Sequence, residues 1–328
     1  MANKTAGTPS RLANSRRGAA RAPAARGVPR AALVLGFFLL LLVIFGLIFF
    51  TCARRSGSTA TGVLRTSDFH SLAFSPSDPN VVFFGHHNGI MQSKDGGRTW
   101  SALVERPGFD GMALAVSRDR TPQIFLAGHD VFEVSPDNGV SWQPVAAHLP
   151  GTDIHGFAVS PDNANRLYAF VAGQGGFQST DGGRMWQPFG GNLPNDVMAL
   201  AAAGGTPETL YASSMGAGLL RSTDGGQTWL PAMGGMDSGS NGASDMSNMA
   251  SGMALAASGK TVFAGRRGGL YKSTDGGTSW SKLSFPAATV AVIGFSPTQP
   301  DVVLAITVDG AQGLVYRSAD GGQTWSRP

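Results

Sequence analysis

One octapeptide pattern, S-x-D-x-G-x-[ST]-W, occurs six times in the chain: SKDGGRTW at 93–100, SPDNGVSW at 135–142, STDGGRMW at 179–186, STDGGQTW at 222–229, STDGGTSW at 273–280 and SADGGQTW at 318–325. Only the third copy departs from it, with Met185 at the Ser/Thr position. Successive copies start 42, 44, 43, 51 and 45 residues apart. All six tryptophans of the protein close a copy: Trp100, Trp142, Trp186, Trp229, Trp280 and Trp325. A period in the forties that ends each unit on Trp predicts sheets stacked radially, so the expected fold is all-β, a six-bladed β-propeller of four-stranded blades.

The chemistry of the octapeptide fits a tight turn between two strands. Its aspartates (Asp95, Asp137, Asp181, Asp224, Asp275 and Asp320) are placed to accept backbone N–H groups two or three residues on. The glycines supply the positive φ that such a turn requires, and the Trp opens the next strand. Six like copies argue for a structural role, because catalysis needs different residues in different tasks. The motif resembles the Asp-box, or BNR repeat, of sialidases, sortilin-type receptors and photosystem assembly factors. The resemblance spans about residues 64–328 and implies a sialidase-like propeller, as in membrane-anchored BNR-repeat proteins named after glycosyl hydrolases. It implies little about activity, since Asp-box proteins have unrelated ones.

The N-terminal region reads differently. Residues 1–30 carry Lys4, Arg11, Arg16, Arg17, Arg21, Arg26 and Arg30 and no acidic residue. Residues 31–50 are twenty uncharged apolar residues, long enough to cross a bilayer as a helix, and Arg54 and Arg55 follow. Seven positive charges before the span against two after it predict a cytoplasmic N-terminus and a single-pass signal-anchor, with the propeller outside, in the periplasm or at the cell surface. A cleaved signal peptide fits less well, because the apolar run is long and no A-x-A site follows. The expected organisation is a basic tail (1–30), a transmembrane helix (31–50), a linker (51–63) and the propeller (64–328). Cys52 is the only cysteine, so an intramolecular disulfide is excluded, and FFTC lacks the small residues that precede a lipidated cysteine. Beyond residue 56 the chain holds 16 Lys and Arg against all 21 Asp and Glu, a net charge of −5, which argues against nucleic acid as a partner.

Aligning the blades on the box locates the positions where function is expected. The lead-in to each innermost strand and the loop between second and third strands lie on one face, opposite the box turns. The lead-in position holds His70, Met112, His155, Met198, Met253 and Ala291, and two residues earlier stand Asp68, Asp110, Asp153 and Asp196 in the first four blades. The second loop contributes His86, His87, His129 and Met215. The long connection between blades four and five carries Met233, Met236, Met246 and Met249 before Met253, in a stretch rich in Gly, Ser and Asn. Thioether and imidazole together suit a soft monovalent ion, Cu(I) or Ag(I). The same set also reads as repeat architecture with no ligand.

Glycoside hydrolysis is the competing expectation. A sialidase-like site implies three arginines on the substrate carboxylate, a tyrosine nucleophile with a glutamate, and an Asp acid/base. The chain shows no such constellation: Tyr168, Tyr211, Tyr271 and Tyr316 lie in equivalent strand settings, and the glutamates are Glu105, Glu133 and Glu208. Another glycosidase chemistry could use the rim carboxylates Asp68, Asp110, Asp153 and Asp196 as an acid–base pair; capping of the lead-in turn is the simpler role for them. The expectation is a non-enzymatic binding or assembly module, engaging a metal ion, a protein or a glycan at the channel mouth.

Overall fold

The computed structural model describes residues 62–328 except 67, 120, 146–147, 237–253, 267 and 288. The expected tail, transmembrane helix and most of the linker lie outside the described residues, as do Met246, Met249 and Met253. Among the described residues no helix is long and apolar enough to cross a membrane.

The described residues form six four-stranded antiparallel sheets, a six-bladed propeller as the repeat predicts. Blade one runs Ser71–Phe74, Val82–His86, Gly89–Ser93 and Ser101–Glu105 from the axis outward. The second strands are buried along almost their whole length, as in Ile124–Gly128 and Leu167–Val171, because both faces of each sheet pack against neighbouring blades. That sandwiching explains their near-continuous apolar sequence. One interblade core gathers Phe84 and Trp100 of blade one with Leu304, Ile306 and Val315 of blade six; another gathers Tyr168 and Phe170 with Leu210 and Trp229. The outer strands of blades two to five are short and mostly exposed, and Gln143–Pro144 and Leu230–Pro231 each end in a proline that cannot donate to an added strand.

The ring closes with the first and last described segments. Val63–Arg65 pairs antiparallel with the third strand of blade six, Val63 opposite Leu314 and Arg65 opposite Gln312. Further along that strand, Arg317 exchanges backbone hydrogen bonds with Ser326 at 2.8 and 3.0 Å. Gly62 donates to the Arg98 carbonyl at 2.8 Å and accepts from Val315 at 2.9 Å, tying the first box to the last blade. Leu64 is fully buried in the core between blades one and six.

The boxes share one hydrogen-bond pattern. In the first, Ser93 Oγ donates to Asp95 Oδ1 at 2.8 Å and accepts from Gly97 N–H at 2.8 Å. Asp95 then accepts Thr99 N–H at 2.9 Å and the Thr99 hydroxyl at 2.5 Å. Gly96 and Gly97 take φ of 75° and 92°. Trp100 Nε1 donates to the Gly97 carbonyl at 3.1 Å. Two copies differ: Met185 leaves Asp181 with backbone donors alone at that position, and Trp280 donates to Ala232 O of the preceding blade at 2.8 Å. The hydroxyl and N–H of Thr228 hold the Asp224 carboxyl down to about 2, and Ser279 and Thr324 lower Asp275 and Asp320 in the same way.

Candidate functional site

The channel mouth collects the lead-in residues. His70, Met112, His155, Met198 and Ala291 line one cavity of roughly 400 Å³, floored by Leu72, Leu114, Phe157, Leu200, Leu255 and Ile293 of the inner strands. These five lead-in positions share one cavity because their blades share one register.

Above this cavity an arc of alternating imidazoles and carboxylates runs through blades one to three. His70 Nε2 lies 3.0 Å from His87 Nε2. Asp68 Oδ2 is 3.0 Å from His87 Nδ1, and Asp68 Oδ1 is 3.4 Å from His70 Nε2. Asp110 Oδ1 lies 3.9 Å from His87 Nε2, while its Oδ2 is 2.5 Å from His129 Nδ1. His129 Nε2 and His155 Nε2 then approach Asp153 Oδ1 at 3.5 and 3.0 Å. Three overlapping sets result: Asp68, His70 and His87; His87, Asp110 and His129; His129, Asp153 and His155.

Blade packing creates the alternation. In blades one and two the second loop meets the lead-in of the next blade: Gly111 N–H donates to His86 O at 2.9 Å, and Asp130 N–H donates to Thr152 O at 3.1 Å. A Thr152 hydroxyl bond to Asp130 Oδ1 at 2.6 Å braces the second junction. Glycine makes the approach possible at Gly85 and Gly111, where a Cβ on Gly85 would collide with the Gly111 carbonyl; within blade two, a Cβ on Gly128 would likewise meet the Asp110 carbonyl. The rim aspartates also clamp their own blades. Asp68 Oδ1 accepts His87 N–H at 2.7 Å, Asp110 Oδ2 accepts His129 N–H at 3.3 Å and Asp196 Oδ2 accepts Gly216 N–H at 2.6 Å.

Burial sets the electrostatics. Asp110 is 4% exposed, and its Oδ1 is shielded from water with no hydrogen-bond donor among the described residues. Asp153 Oδ1 is shielded too and lacks a well-directed hydrogen bond, although His155 Nε2 is close. Burial lowers the His70 pKa, and His87 beside it lowers it further against the opposing pull of Asp68.

The remaining sequence-derived positions divide. Met112 and Met198 border the cavity beneath the arc. His86 stacks on Phe84 at 6.2 Å between centroids, and burial lowers its pKa. Met215 occupies the blade-four loop and is 45% exposed, above an Asp196 that accepts the Ser214 hydroxyl at 2.5 Å. Met236 is buried and Met233 packs against the core of Tyr271 and Trp280, a packing role the composition of their connection does not betray. Sequence reasoning missed the pairing of the rim aspartates with the histidines. The signal was present in the D-x-H pattern at 68–70 and 153–155, read blade by blade instead of across neighbours.

The tyrosines occupy no mouth position. Tyr168 and Tyr211 are buried between blades at 1% and 0% exposure, and burial pushes the Tyr211 hydroxyl up to about 12. Tyr168 rises through burial and the nearby Glu208.

The family model described as "BNR/Asp-box repeat" matches residues 316–327, and the same turn recurs at every box. The chain is a six-bladed β-propeller with a BNR/Asp-box repeat match at its last box. It is similar in fold to the GH74 xyloglucanase of Xanthomonas campestris, at 20% identity and a TM-score of 0.53, over 82% of this chain and 46% of that one. The GH74 enzyme of Niastella koreensis aligns at 18% identity and a TM-score of 0.55, over 83% and 46% of the two chains. PorZ of Porphyromonas gingivalis, a surface component of the type-IX secretion system, aligns at 16% identity and a TM-score of 0.50, over 81% and 33%. The chain therefore spans less than half the length of these proteins, and the likeness is one of fold. No curated protein matches it in sequence.

Proposed function

We propose that the chain is a membrane-anchored, outward-facing, non-enzymatic binding propeller that takes up a transition-metal ion at its channel mouth. The observation that carries this reading is the convergence of His70, His87, Asp68 and Asp110, with two imidazole Nε2 atoms 3.0 Å apart beside a buried carboxylate oxygen that has no donor. Ligands about 2.0–2.1 Å from a tetrahedral ion lie about 3.3 Å from one another, so this spacing suits a shared ion. The gathered donors are nitrogen and oxygen. They favour a borderline divalent ion such as Zn²⁺ over the Cu(I) or Ag(I) that Met-rich sequence suggests. Met112 and Met198 remain within the cavity for a softer ion.

Hydrolysis through the rim aspartates has weaker support, because Asp68, Asp110 and Asp196 each spend an oxygen on a backbone N–H. Calorimetric titration of the full-length chain in detergent with Zn²⁺, and separately with Ag⁺, tests the proposal. Saturable Zn²⁺ binding below about 0.1 mM, weaker for Ag⁺, is the expected result. Failure of both ions to bind below about millimolar returns the mouth to a protein or glycan partner.

A further inference from the structure

Building on the metal reading above, we infer that the arc holds two divalent ions, in two separate sites joined by Asp110. The first site takes Nε2 of His70 and of His87 with Asp68 Oδ1, and Asp110 Oδ1 faces it at 3.9 Å from His87 Nε2. The second takes Nε2 of His129 and of His155 with Asp153 Oδ1, at nitrogen–oxygen separations of 3.5 and 3.0 Å. The two ligand sets share no residue, so both fill at once.

The orientation of the His87 and His129 rings supports this assignment. A metal-bound imidazole donates its other N–H to a carboxylate, which fixes the tautomer and leaves the opposite nitrogen free for the ion. His87 presents Nδ1 to Asp68 Oδ2 at 3.0 Å and His129 presents Nδ1 to Asp110 Oδ2 at 2.5 Å. Each therefore turns Nε2 toward its neighbouring histidine. Two successive blades repeat the device one structural unit apart. Asp110 serves both sites: Oδ2 positions His129, and the buried Oδ1, which lacks a donor, faces the first ion. Three protein ligands per ion leave each with an open position for water or an incoming donor.

Zn²⁺ stoichiometry on the full-length chain, read by calorimetry and by metal analysis after gel filtration, tests the inference. Two ions per chain are expected. Changing His70 to Gln removes one, changing His155 to Gln removes the other, and the double variant binds none. Asp110→Asn weakens the second ion about 10- to 100-fold through the loss of its hold on His129. The Co²⁺-loaded protein, whose visible spectrum reports coordination, gives separable bands for the two single variants. Circular dichroism checks that each variant keeps the propeller; Asn and Gln preserve side-chain volume for that purpose. One ion per chain, or the loss of both ions in a single His variant, overturns the two-site inference and leaves the metal reading standing. No ion at all overturns both.

Discussion

Replacing Leu64 by Ala tests whether the first described strand locks the ring. Leu64 has no exposed surface and packs with Phe84, Trp100, Leu304 and Val315, so its side chain joins blade one to blade six. Truncating a fully buried Leu removes its transfer free energy and leaves a cavity, together costing about 2–5 kcal/mol. We take about 3 kcal/mol. For a domain of about 265 residues, an unfolding entropy of about 2.1 cal/mol/K per residue converts this into a fall in Tm of about 5 °C. Leu230→Ala is the control: it also lies on a short outer strand, but is 65% exposed and changes stability by about 0.5 kcal/mol or less. The assay is thermal unfolding followed by near-UV circular dichroism, dominated by the box tryptophans. If Leu64→Ala melts within about 1 °C of Leu230→Ala, the segment 63–65 does not close the propeller and the reasoning fails.

Acid should act through the boxes. Their carboxylates have depressed pKa values when folded, so their contribution is full above the ordinary carboxylate range and is lost as pH falls toward about 2, the value for Asp224. Urea midpoints that stay flat from pH 7 to 5 and fall below pH 4 are expected; a fall beginning near pH 6 would point to the histidines instead. Met185→Thr restores the missing hydroxyl on Asp181 and should lower that carboxyl and raise the melting temperature, with a decrease counting against the shared hydrogen-bond pattern. Gly128→Ala drives a Cβ into the Asp110 carbonyl and should weaken Zn²⁺ binding at the second site by more than tenfold, whereas unchanged affinity would separate that backbone from the mouth.

The fold was legible because its determinants are local and repeated. Ser93, Asp95, Gly97 and Trp100 specify a turn through bonds that span at most four residues, and the same residues recur five more times. The lead-in residues were legible for a related reason: one register sends His70, Met112, His155 and Met198 to a common axis. The arc was less so. His87 meets Asp110 and His129 meets Asp153 across a blade boundary, over separations of more than twenty residues that no local pattern encodes. Composition misled in the blade-four connection, where Met233 and Met236 follow glycine-rich sequence yet dock onto the Trp280 core.

The boxes and the arc occupy opposite ends of the same strands. Turn-forming residues that dictate how the chain folds cluster at one end, while at the other end the aspartates clamp the loops and the histidines are answerable to what they hold. Asp196, Ser214 and Met215 show the latitude this allows: blade four keeps the clamp and discards the histidine, with no change in its strand order. A propeller divided in this way can exchange its ligand through a few substitutions at one rim, while selection on folding acts almost wholly at the other.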